Sequence, residues 1–357
     1  MNKIVDETSS AKTEEITICP LCEAAESEHL FWNFDRLHFR PGKFELLRCT
    51  ICDLYRLSPR PTEDCLVSYY PSDEYYSYRP PDDLSVFEKN TSPTVLGMLK
   101  GRMRDCVLQS YGYPVPSLRS WQKLAQPALT RFFKNRALYG LQDVFPRYVP
   151  GGRALDIGCG NAEVLAYLKH FGWKVDGVDF SPAAAISAKK YFDIDVFVGK
   201  IEDAGFEPES FDFIRMSHVI EHLPSVVDSM KYISSLLKPG GSIYIETPNI
   251  DAFSFRHARE YWYPLECPRH LFLFSPKTLT DILRACRISA TKVETFFYDT
   301  YHWERTYREE QEAVEIAEPR PMTDRNLREN ILKLKSRAEH LFDPMNGDIL
   351  RAWAVKE

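Results

Sequence analysis

Several groups of residues in this chain have the makings of a binding or catalytic site. Asp156-Ile157-Gly158-Cys159-Gly160 sets two glycines beside a carboxylate, and a second carboxylate, Asp179, follows 19 residues beyond Gly160. Glycines let backbone approach a ligand closely, and an acid at that separation can accept the hydroxyls of a ribose. Cys19-x-x-Cys22 and Cys49-x-x-Cys52 supply four thiols in two knuckle-spaced pairs. Four thiolates close a tetrahedral metal shell and leave no position for water. His218-Val219-Ile220-Glu221-His222 sets two imidazoles around one acid, a combination that can move a proton or hold a metal. Arg256, His257, Trp262, Tyr263, Arg269 and His270 then fall within residues 248–275. Aromatic rings beside cations suit a small molecule such as a sugar bearing phosphate or carboxylate.

These groups need elements to hold them. Residues 154–157 are an apolar run broken by one acid, the pattern of a buried parallel strand. Gly158 to Gly160 turns the chain, and a helix begins at Asn161 with apolar residues at 164, 165 and 168. Residues 173–178 form the second strand, which ends on Asp179. Strand, glycine turn, helix, strand and acid make the frame of a Rossmann-like nucleotide site. A pyrophosphate needs a third small residue on the helix, but Glu163 stands there. Asp156, just before the loop, repels phosphate and attracts a cation. S-adenosylmethionine (SAM) has the ribose and adenine, no phosphate, and a sulfonium with an ammonium, so it fits where NAD fits badly.

Five blocks extend the pattern in order: DIGCGNAEVL, GVDFS, SFDFIRMSHVIEHL, LLKPGG and ETPN…CPRHLFLFS. Together they resemble class I SAM-dependent methyltransferases, and most of all the branch with a cysteine-rich N-terminal segment found in polysaccharide and natural-product pathways. The resemblance covers roughly 150–298 and the last strand. It implies an α/β fold with a Rossmann-like seven-stranded sheet, an N-terminal zinc ribbon and a helical cap. It assigns Asp156, Gly158, Cys159 and Gly160 to the methionyl end of SAM, Asp179 to the ribose and Phe180 to the adenine face. Ile201, through its backbone, and Glu202 then clamp the adenine, with Ser217 completing the cofactor set. His218 becomes a general base or a substrate-positioning group, with Glu221 and His270 beside it on the catalytic side.

Composition bounds the alternatives. The 357 residues carry a net charge of −6, 44% hydrophobic and 27% charged residues. That is an ordinary soluble composition with no overall basic field for nucleic acid. No run approaches the roughly 20 apolar residues of a membrane helix, and the polar N-terminus is not a signal peptide. Nine cysteines, an odd number, suit a reducing compartment and metal ligation more than disulfides. The expected location is therefore the cytoplasm. The expected layout is a disordered tail over 1–15, a zinc ribbon over 16–60, a Tyr/Pro-rich linker and helical cap over 61–148, and the methyltransferase domain over 149–357. A helical insertion at about 303–343 separates the two strands of a terminal hairpin. A ribbon of this size buries little core, so a structural Zn2+ supplies most of its stability.

Three rivals stand beside methyl transfer to a small, carbohydrate-like acceptor. An RNA methyltransferase would use the ribbon and a local basic track of Arg131, Lys134, Arg136 and Arg153. A zinc metalloprotease would use H-x-x-E-H, but needs that motif on a helix with a third ligand further on. A SAM-binding protein without an acceptor site is the non-enzymatic reading.

Overall fold

The computed structural model describes residues 12–70, 105–115, 124, 126–128, 145–297, 331, 333–340 and 342–357. They fall into two compact units. One is built from Met1–Tyr75, Met216–Ser235 and Ile245–Glu357, the other from Tyr76–Arg215 and Leu236–Tyr244.

The N-terminal elements open the first unit. Strand β1 (Thr13–Glu14) lies inside the expected tail yet pairs antiparallel with β5 (Arg60–Pro61). Between them, β2 (Ser27–Asn33), β3 (Phe44–Cys49) and β4 (Tyr55–Leu57) form an antiparallel meander. Helix α1 (Glu63–Leu66) follows as a single turn.

The βα alternation then starts with β6 (Arg153–Ile157), α2 (Glu163–His170) and β7 (Lys174–Asp179). Helix α3 (Pro182–Phe192) is capped by Ser181, whose hydroxyl accepts from the N–H groups of Ala183 and Ala184. Pro182 at its first position costs no hydrogen bond, because that N–H would be unpaired anyway. Next come β8 (Val196–Val198), β9 (Phe211–Ser217), α4 (Val226–Leu236) and β10 (Leu237–Pro248). Lys238-Pro239-Gly240-Gly241, of the LLKPGG block, lies within β10. Helix α5 (Phe253–Ala258), β11 (Phe272–Leu273), α6 (Pro276–Ala285), β12 (Ile288–Phe296) and β13 (Ile349–Lys356) complete the order.

Seven strands make one sheet in the order β12-β13-β10-β9-β6-β7-β8. Strands β6, β7 and β8 pair in parallel. β12 and β13 pair antiparallel from Ile288–Lys356 to Phe296–Ile349, as expected of a terminal hairpin split by a long insertion. Of that insertion, residues 331, 333–340 and 342 are helical, residue 343 is not, and the rest lies outside the described residues. The same holds for most of the linker and cap. One cap residue, Tyr113, accepts a 3.0 Å hydrogen bond from the Trp173 indole within the second unit. No helix of the described residues is long and apolar enough to cross a membrane.

The ribbon differs most from expectation. Its sheet has four strands in the order β11-β4-β3-β2, and β11 comes from the far end of the chain. Phe44, Leu46, Leu57 and Tyr69 share one core with Ile250, Phe255, Trp262, Leu265 and Leu273. Arg269, fully buried, meets the equally buried Asp35 at 3.1 Å. The module does bury a core, because residues 250–273 supply its other half. The expectation that a ribbon of this size buries little core is corrected on that ground.

Candidate functional site

The glycine turn is built by strand ends. β6 and β7 run parallel in register, so Ile157 faces Val178, and the N–H groups of Gly158 and Cys159 both donate to the Val178 carbonyl. Gly158 and Gly160 take positive φ values of 69° and 53°, a conformation that costs glycine little. Asp179 sits 8% exposed at the end of β7. One of its oxygens accepts from the Gly160 N–H at 2.9 Å and the other from the Ser181 N–H at 2.9 Å. A carboxylate has about four lone-pair sites, more than these backbone groups take up, so Asp179 can still accept from a ribose. Phe180, the next residue, is 66% exposed and offers a ring face. Burial pushes the Asp179 carboxyl above its usual range, against the three backbone N–H bonds from Ser181, Gly160 and Phe180. This donor set fits a ribose-bearing cofactor such as SAM.

Other residues assigned to that site are placed differently. Asp156 is 1% exposed, and both its oxygens accept from Arg215 Nη1 at 2.9 and 3.0 Å. Burial drives its carboxyl up and Arg215 opposes the shift. Its charge is neutralised inside the unit, so it is not the loop acid that was expected to attract a cation. The Cys159 thiol is buried among Ala162, Leu165, Ala166, Ala188 and Ile194, and burial pushes it well up. Only the Cys159 backbone belongs to the turn. On the short turn after β8, Ile201 is buried and Glu202 exposed.

In the first unit, β9 ends on Ser217 and the chain reverses at His218, whose φ is +55°. A β-sheet neighbour holds this unusual backbone, since the His218 N–H donates to the Glu246 carbonyl at 2.8 Å. The ring lies between two acids, with Nδ1 3.3 Å from Glu221 and Nε2 3.4 Å from Glu246. Burial opposes charge on His218, but both carboxylates outweigh it and push the imidazole up to about 10. Burial likewise works against the Glu221 charge, yet His218 and the neighbouring His270 and His222 hold it down to about 2. An imidazole with a carboxylate at each nitrogen keeps both protons and offers no lone pair. Of the two roles expected of His218, general base or positioning group, this arrangement suits the second.

Glu246 is the functional residue that sequence reading passed over. It accepts from Arg351 Nε at 2.7 Å and from the Ser217 hydroxyl at 3.4 Å. The signal was present: an acid inside the apolar strand SIYIETP must find partners if buried.

Residues 248–275 are mostly interior. Trp262, Tyr263, Arg269 and His270 are 1%, 6%, 0% and 5% exposed. Trp262 donates to the Ser254 hydroxyl at 2.8 Å. Arg256 and His257 lie on the surface, with Arg256 paired to Glu339 at 2.8 Å. This stretch packs and completes the ribbon instead of presenting aromatic rings and cations together. The H-x-x-E-H motif lies on a strand end and a 3₁₀ turn (Ile220–His222), not on the helix a metalloprotease needs.

The four ribbon cysteines converge. Cys19–Cys52 and Cys22–Cys49 sulfurs are 3.5 Å apart, and all four lie within 4.8 Å of one another. A tetrahedral zinc with bonds of about 2.3 Å places its sulfurs about 3.8 Å apart. Each knuckle closes on a left-handed residue, Glu23 at φ 61° and Asp53 at φ 68°. These thiols can hold a structural metal.

A family model described as a methyltransferase domain matches residues 129–286. The ubiquinone biosynthesis O-methyltransferase of Xanthomonas campestris pv. campestris (strain B100) is 28% identical over 185 residues, which is 47% of this chain and 77% of that protein. Its namesake from Coxiella burnetii (strain RSA 331 / Henzerling II) is 27% identical over 183 residues, 48% of this chain and 76% of the relative. A solved SAM-dependent methyltransferase from Archaeoglobus fulgidus superposes at a TM-score of only 0.44 with 22% identity, over 67% of this chain and all of that one. The matched domain spans the glycine turn and Asp179, and the enzyme class it indicates, with the relatives' names, is that of a SAM-dependent methyltransferase.

Proposed function

We propose that the enzyme moves the methyl group of SAM to a hydroxyl of a small biosynthetic acceptor. The observation that carries this reading is Asp179, a buried carboxylate at the end of β7 oriented by the N–H groups of Gly160 and Ser181. The O-methyltransferase names of the relatives, aligned across 77% of their length, favour oxygen as the atom methylated. Bound SAM supplies a methyl group on a cationic sulfur that leaves as a neutral thioether. The chain's own part is to fix the ribose through Asp179 and to orient the acceptor by charge, with His218 set between Glu221 and Glu246. Four thiolates holding a structural zinc in the ribbon belong to the same proposal.

Calorimetry with SAM tests the cofactor half. Wild type should bind it, and Asp179→Ala should weaken binding markedly by removing both hydroxyl acceptors. Unchanged affinity in the variant would remove Asp179 from the site. A panel of phenolic, carbohydrate and RNA acceptors with labelled SAM tests the other half, and transfer to a small hydroxylated acceptor is expected. A carbohydrate acceptor rests on the sequence resemblance alone, since residues 248–275 are largely interior. The RNA reading loses Arg153, which pairs with Asp176 at 2.7 Å. Arg131, Lys134 and Arg136 lie outside the described residues.

A further inference from the structure

We propose that Glu221, His222 and His270 form a second divalent-metal site, separate from the four cysteines and ligated by nitrogen and oxygen. One potential ligand atom from each residue lies within 4.8 Å of the other two. Glu221 and His222 come from the turn after β9, and His270 comes from the residues just before β11. A backbone bond from Leu271 N–H to the Glu221 carbonyl, 2.8 Å long, ties the two segments together.

The surroundings are those of ligands already oriented. His270 Nδ1 lies 2.7 Å from the Pro264 carbonyl, and His222 Nδ1 lies 2.9 Å both from the Arg269 carbonyl and from the Tyr70 hydroxyl, which can accept as well. A carbonyl only accepts, so each Nδ1 carries the ring proton and each Nε2 keeps its lone pair. This is the backing that fixes the tautomer and ring direction of metal-bound histidines. Among the described residues neither Nε2 has a hydrogen-bond partner. The rings meet edge to face with centroids 4.6 Å apart.

Glu221 gives the independent sign. It is fully buried; Oε2 accepts from the Thr247 hydroxyl at 2.9 Å, while Oε1 is buried with no hydrogen-bond partner. The nearest charge to Oε1 is His218 Nδ1 at 3.3 Å. Oε1 thus faces His218 by charge but makes no hydrogen bond, and it keeps lone pairs that a metal ion can take.

Two imidazoles and one carboxylate favour a first-row transition cation such as zinc over magnesium or calcium, which prefer all-oxygen shells. Three protein ligands leave a coordination position open, unlike the closed shell of four cysteines. His218 stands outside this set, so the site differs from the protease arrangement. The inference does not depend on the acceptor assignment.

Metal counting on the full-length protein tests it, after stripping with a chelator and reloading with Zn2+ or Co2+. Wild type should hold two ions per chain. His270→Gln and, separately, His222→Gln should each reduce the count to one, with circular dichroism confirming the fold. Cys49→Ser should also leave one ion. Cobalt distinguishes the sites: the thiolate charge-transfer band should persist in both histidine variants and vanish in Cys49→Ser, which should retain only the weaker ligand-field bands. A single ion in saturated wild type, or two ions in both folded histidine variants, would overturn the proposal.

Discussion

Asp179 and His218 show how burial decides the work a charged residue can do. Asp179 has its folded-state pKa raised, first by burial. Its contribution to folding stability is therefore present below the unfolded-state pKa and is lost as pH rises through the folded one. Cofactor binding runs the other way, since ribose hydroxyls donate best to an ionised carboxylate. SAM affinity should be flat near neutral pH and fall on acidification through the raised pKa, and Asp179→Asn should bind weakly with that dependence flattened. Titration calorimetry across pH reads both; an identical acid limb in the Asn variant would assign the dependence elsewhere. For His218, loss of the ring leaves Glu221 and Glu246 without their shared cation. His218→Ala should cut turnover by roughly a hundredfold, the scale of a misplaced acceptor, with SAM affinity nearly intact. Full turnover in the variant would make His218 purely structural.

Among the elements, the four-stranded sheet sets the behaviour of the ribbon. β11 and the core around Trp262 hold β3 and β4 from one side, and the cysteine knuckles hold their ends. Cys49→Ser should thus release zinc and speed amide exchange around 19–24 and 49–54, while Leu46 and Leu57 stay protected. Exchange that accelerates equally across both regions would show metal, not the shared core, to be the main support. Asp35→Ala should act more widely. It leaves the Arg269 guanidinium buried without its carboxylate, at a cost of about 3–5 kcal/mol. Urea unfolding measures this, and a cost below about 1 kcal/mol would mean that Glu266, 3.5 Å from Arg269 Nε, suffices alone.

For the whole molecule, charge is the argument against a nucleic-acid partner. The net charge is −6, and Arg153 is committed both to Asp176 and to the face of Phe211. Tight RNA binding would need several free cations and would weaken steeply with salt. Filter binding at physiological salt should show no high-affinity complex with transfer or ribosomal RNA. Nanomolar, salt-sensitive binding would replace the small acceptor by RNA.

Local rules were enough for the nucleotide turn, the Ser181-Pro182 helix start and the two cysteine knuckles. Each is specified within a few residues by glycine freedom, capping geometry or ligand spacing, and the βα alternation follows from hydrophobic period. The terminal hairpin was also legible as two strand-like runs, although Ile288–Phe296 and Ile349–Lys356 lie far apart in sequence. What the chain alone could not decide was the partner of each buried polar group, because those partners lie at long range. Asp156 was read as a ligand for a cation until Arg215, 59 residues away, was found to occupy it. Arg269 reads as a binding residue because cations beside aromatics suit a ligand, yet Asp35, 234 residues away, claims it. Glu246, whose place in an apolar strand says only that it needs a partner, gains that partner from Arg351 and His218. Local patterns fix where the backbone goes; burial then makes every charge find a partner, and only the tertiary structure decides which one.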